Sequence, residues 1–74
     1  MKLITVTATQ GGWVVDQAAD VNPLMFLAGG KAEKKARELA KLAARVGEPA
    51  EVRIHDLEGE LIGQIRYEAA QEVS

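Results

Sequence analysis

Residues 31–46 read KAEKKARELAKLAARV, and the fold turns on how that stretch is wound. With successive side chains 100° apart, as in an α-helix, Ala32, Ala36, Leu39, Ala43 and Val46 fall on one stripe. Ala40 and Leu42 lie at its margins, and the opposite side is almost wholly charged. Gly47 stands where a helix takes its left-handed terminal residue, and Pro49 biases Glu48 toward extended backbone, so a helix over 31–46 should end there. A stripe lined by alanine lets the helix axis come close to whatever supports it, and a β-sheet is the natural support.

Outward in the C-terminal direction, residues 51–67, EVRIHDLEGELIGQIRY, read as a β-hairpin. Val52 and Ile54 share one face and Arg53 and His55 the other, before a reversal at Asp56 to Gly59. Aspartate at the first position of such a turn accepts a hydrogen bond from the backbone two residues on, and glycine at the fourth takes the left-handed conformation. Past the turn, Leu61, Ile65 and Tyr67 share one face, and Ile62, Gln64 and Arg66 the other.

Outward in the N-terminal direction, residues 3–8 alternate around Thr5 and Thr7, and WVVD begins at Trp13 after TQGG, which predicts a second hairpin turning on Gly11 and Gly12. Residues 18–30, AADVNPLMFLAGG, break the alternation. Asn22 suits a helix N-cap, Pro23 suits the first helical position, and Gly29 with Gly30 would stop anything begun there, so a short helical turn or an ordered apolar loop is expected. Leu24, Met25, Phe26 and Leu27 then either close over the core or form an interface with a partner.

The resulting order is ββαββ: an α+β two-layer domain, with one long amphipathic helix on one face of a four-stranded, mainly antiparallel sheet. Seventy-four residues, 47% hydrophobic and 27% charged, make one globular domain, with its core in about 2–67 and a frayed tail over 68–74. A domain this short buries only about 60% of the surface its unfolded chain exposes, so a second copy would be a useful brace. One helix covers one face of the sheet; the other face must be polar, covered by residues 18–30, or buried against another molecule.

The chain has no cysteine, which removes disulfides, thiolate metal sites and thiol nucleophiles together. Its first ten residues alternate apolar side chains with threonine, where a signal peptide needs a continuous apolar core. The longest apolar run, residues 23–28, is far short of the roughly 20 needed to span a bilayer. A soluble, cytoplasmic protein with no membrane contact is expected.

Three pieces in order, GGWVV, the helix KAEKKARELA and IHDLEG, resemble a family of small bacterial proteins catalogued as a domain of unknown function. Its members look like a Gly-Gly-Trp hairpin, an Ala-Arg-Glu-Leu-Ala helix and an Ile-His-Asp-x-x-Gly hairpin. The resemblance covers roughly residues 3–67, its most specific part being Ile54, His55 and Asp56 followed by Gly59. It implies the ββαββ order and no activity.

Catalytic chemistry finds little footing. His55 and Asp56 are neighbours, and neighbouring strand side chains point to opposite faces, so the two do not make a general-base pair. The only serine is Ser74. Asp56, Glu58 and Glu60 offer oxygen ligands at alternate positions, but a calcium loop needs glycine sixth and glutamate twelfth, where Gly59 is fourth and Tyr67 twelfth. The glycine pairs carry no phosphate-loop or dinucleotide spacing, and Trp13 lacks the companion aromatics of a base-stacking platform. No catalytic residue, cofactor or metal is expected.

Charge is distributed more tellingly. Residues 31–46 hold six cations against two glutamates, a local net of +4, while the rest of the chain holds three cations against nine acids. Lys34, Arg37, Lys41 and Arg45 recur at helical spacing on one stripe, a contact surface for an acidic partner. The overall charge of −2 speaks against a dedicated nucleic-acid binder. The expectation is a small non-enzymatic interaction or accessory domain that self-associates as a homodimer or binds another protein; a nucleic-acid module using the basic helix face is the alternative.

Overall fold

The computed structural model describes residues 1–17 and 21–70. Among these described residues five strands and one helix follow in order: β1 (Lys2–Thr9), β2 (Gly12–Asp16), β3 (Leu24–Phe26), α1 (Gly29–Arg45), β4 (Ala50–His55) and β5 (Leu61–Tyr67). They form one helix packed on one mixed sheet of order β3-β2-β1-β4-β5.

The α+β class is as expected, but the sheet has five strands instead of four and its central pair, β1 and β4, is parallel. The cause lies in residues 24–26. They do not coil after Asn22 and Pro23; they pair antiparallel with β2, Trp13 opposite Phe26, Val14 opposite Met25 and Val15 opposite Leu24. Proline is compatible with a sheet at the start of an edge strand, where its missing N–H costs no ladder bond. Once β3 occupies that edge, α1 crosses back over the sheet and delivers β4 beside β1 in the same direction, as a parallel connection requires.

Gly29 and Gly30 open α1 instead of stopping an earlier turn. Gly29 packs against the ring of Trp13: a Cβ at position 29 would lie 2.9 Å from the indole Cε2. What reads locally as a helix breaker is a place where helix and strand approach too closely for a side chain. Gly12 serves similarly in the first hairpin. Its φ is +147°, and a Cβ there would collide with the carbonyl oxygen of Phe26. Gly12, not Gly11, carries the positive φ of that reversal.

At its other end α1 stops as the sequence implies. Gly47 has φ +94°, its N–H donates to Ala44 O at 3.1 Å, and Glu48 N–H donates to Ala43 O at 2.9 Å, a Schellman closure of the last carbonyls. Val46 is the C-cap and is 81% exposed, so it leaves the apolar stripe, as does exposed Leu42. Ala32, Ala36, Ala40, Ala43 and Ala44 are the buried residues of the helix, with Leu39 half-buried beside them.

Of these, Ala32, Ala36, Ala40 and Ala43 seat on Ile4 and Val6 of β1, Val15 of β2, and Ala50, Val52 and Ile54 of β4; Trp13, Phe26, Ile65 and Tyr67 close the rim. Full burial of Ile4, Val6, Val15 and Val52 contributes roughly 1.5–3 kcal/mol each. At β5 the register slips: Ile54 pairs with Gly63 but His55 with Leu61, so Ile62 is an extra, bulged residue. Both Leu61 and Ile62 are exposed, and only Ile65 and Tyr67 of the expected inner set reach the core. In the expected tail, Ala70 N–H donates to Ala44 O at 2.8 Å, and residues 71–74 lie outside the described residues. So do residues 18–20 of the 18–30 connection.

Candidate interaction surfaces

The sheet has two edges, and their chemistry differs. Among the described residues β3 pairs with β2 on one side only. Alternation puts Leu24 and Phe26 on the helix side, in line with Val15 and Trp13, and Met25 on the far side, in line with Val14. Phe26 is half-buried against the core, Met25 is 63% exposed and Leu27, just past the strand, 92%. Leu24 is exposed as well, and so is Val21 before it. No residue from 21 to 30 carries a charge. Of the four predicted interface residues, therefore, three present their side chains to solvent and Phe26 anchors the strand.

The β5 edge is guarded. It carries the bulge at Ile62, and Arg66 Nε–H donates to Glu68 Oε1 at 2.7 Å on its exposed surface. Bulges and charges are the usual devices that stop an edge strand from pairing with another chain.

Helix α1 presents the four predicted cations, Lys34, Arg37, Lys41 and Arg45, all exposed. They lie along about 16 Å of helix axis at 1.5 Å per residue. None of them takes part in the ion pairs of the described residues, which join Arg53 to Glu51 and Arg66 to Glu68.

On the sheet face away from the helix, polar side chains predominate. Thr5 stands beside Arg53 and Thr7 beside His55 across the parallel β1–β4 pair. Glu51, opposite Arg66 on β5, is only 4% exposed despite its charge. A hydrogen bond from the Gln64 side chain is the largest influence lowering its pKa below the ordinary glutamate value. The Arg53 guanidinium adds to this, its Nε–H donating to Glu51 Oε2 at 2.5 Å, and Arg66 adds a further attraction. Burial alone would push the other way. The buried carboxylate is thus held ionised by partners on β4 and β5. Sequence reading missed this cluster, because its members meet only once the cross-strand register is fixed.

His55 and Asp56 serve the second hairpin. Gly59 N–H donates to Asp56 O at 3.0 Å with Gly59 at φ +81°, and Asp56 Oδ1 accepts from Glu58 N–H at 3.0 Å and Glu60 N–H at 2.9 Å. His55 Nδ1 lies 3.2 Å from the Gly59 carbonyl oxygen, which can only accept, so Nδ1 carries the hydrogen. Among the described residues no three His, Cys, Asp or Glu side chains gather as metal ligands, and no helix is long and apolar enough to cross a membrane.

No protein-family model, no curated protein and no solved structure matches the chain.

Proposed function

We propose that the chain is a small non-enzymatic interaction domain whose binding element is the open edge of β3. One observation carries this reading: an edge strand with exposed Leu24, Met25 and Leu27 and no charge from residue 21 to 30, in a sheet whose other edge has a bulge and charged residues. Edge-to-edge strand addition uses the free backbone groups for affinity and the alternate side chains for selectivity. Apolar side chains exposed together at such an edge are costly in water unless a partner covers them. The polar groups with chemical potential are already engaged, Glu51 by Gln64 and Arg53, and His55 and Asp56 by the turn, which supports a binding role over a catalytic one.

The test is affinity capture with the wild-type chain and its Met25→Lys variant as parallel baits. Met25 is exposed, so the fold tolerates lysine while the apolar edge acquires a charge. A partner, another copy of the chain included, held by the wild type and released by the variant is the expected result. Equal retention by both baits contradicts the reading.

A second reading rests on a separate observation, the exposure of Lys34, Arg37, Lys41 and Arg45 outside the ion pairs of the described residues. Such a row suits the phosphates of a nucleic acid, and its binding would fall steeply with salt and with Lys41→Glu. Salt-independent binding, or none at low salt, removes this reading.

A further inference from the structure

We infer that the partner on the β3 edge is a second copy of this chain, joined antiparallel about Met25 so that two five-stranded sheets become one continuous ten-stranded sheet. The inference rests on the reading of β3 as the binding edge and names its occupant. Its first support is self-complementarity. In an antiparallel pair centred on Met25, Leu24 of each copy stands opposite Phe26 of the other, and the two Met25 side chains meet at the dyad. Every position of the strand then faces an apolar residue, and no like charges are brought together.

Length and proline give the second support, since they limit the register. β3 has three residues and Pro23 stands immediately before it. A pairing shifted toward the N-terminus would draw Pro23 into the ladder, where it has no N–H to donate, and one shifted toward the C-terminus would set Leu24 and Met25 against residues beyond the three-residue strand. A pairing centred on Met25 avoids both.

The third support is closure. Antiparallel pairing of one edge with itself follows a two-fold axis perpendicular to the sheet and uses up both copies of that edge, leaving only the guarded β5 edges outside. Pairing of β3 with β5 of the next molecule would instead run on without end, and the bulge at Ile62 and the Arg66–Glu68 pair oppose it. The closed arrangement keeps both α1 helices on the same face. It also extends the rim made by Trp13 and Phe26 with the partner copy's leucine at position 24, the kind of added burial that a 74-residue domain lacks on its own.

The absence of native cysteine makes the dyad directly testable. Residues facing each other across an antiparallel pair have Cα atoms about 4.5–5.5 Å apart, inside the disulfide range of about 4.4–6.8 Å. Under mild oxidation, Met25→Cys should form a disulfide-linked dimer at a concentration where Ile62→Cys, comparably exposed on the opposite edge, stays monomeric. Sedimentation equilibrium should give twice the chain mass for the wild type and the single-chain mass for Met25→Lys. Cross-linking of the Met25→Cys variant no faster than that of Ile62→Cys, or a wild type that sediments as a monomer, overturns the self-pairing. If the capture experiment still shows a Met25-dependent partner in that event, the binding edge stands and the second copy alone is excluded.

Discussion

Trp13 of β2 lies against Gly29, the first residue of α1, so closely that a Cβ at position 29 would sit 2.9 Å from the indole Cε2. The contact ties the helix start to the strand that also pairs with β3, and so sets where the β3 edge emerges from the domain. Gly29→Ala should therefore destabilise the fold by about 1–3 kcal/mol through overpacking, despite alanine's better helix propensity. Gly30, the next helical residue, has open space around its Cα, and Gly30→Ala should stabilise by about 0.4–1 kcal/mol by restricting the unfolded chain. Urea unfolding midpoints of the two variants should move in opposite directions. A shared direction contradicts the Trp13 contact.

The second hairpin depends on Asp56. Its Oδ1 accepts two backbone N–H groups, from Glu58 and Glu60, and Asp56→Ala should cost about 1–2 kcal/mol in chemical denaturation. Asp56→Asn retains an accepting oxygen and should cost less. Gly59→Ala, at φ +81°, should also cost about 1–2 kcal/mol by forcing a side chain into left-handed backbone.

Glu51 links stability to pH. Its pKa is lowered in the folded chain, first by the hydrogen bond from Gln64 and then by Arg53. The folded chain therefore releases this proton more readily than the unfolded one. Its contribution is fully present above the ordinary glutamate range and is lost as pH falls through that range toward the lowered value. Glu51→Gln should flatten the acid side of the stability profile while leaving the other carboxylates' share. A profile unchanged in shape would mean that Gln64 and Arg53 do not hold the charge in solution.

Helix α1 was legible in the sequence because its period persists across residues 31–46 and its terminating Gly47 has a single conformational role. The Asp56-to-Gly59 turn was legible for a similar reason: side-chain chemistry within four residues dictates its hydrogen bonds. β3 was not. Three residues are too few to show a period, and Asn22-Pro23 carries the local signal of a helix start, which pairing with Trp13, Val14 and Val15 overrides. Angle alone puts Val46 on the stripe, although the helix reaches its cap there and the side chain clears the sheet. The residues of the candidate surfaces were found by composition, the cations by spacing and residues 24–27 by their apolar run. Their arrangement as a helix stripe and a sheet edge needed the fold, as did the burial of Glu51 between Arg53 and Arg66.

The self-pairing of β3 is tested most directly by an isotope-filtered nuclear Overhauser measurement on an equal mixture of labelled and unlabelled chains. Intermolecular contacts between the Leu24 methyl groups and the Phe26 ring are the expected result, since these side chains stand opposite each other only across the two-fold axis. A filtered spectrum without peaks from residues 24–27, or with intermolecular contacts arising from another surface, would contradict it.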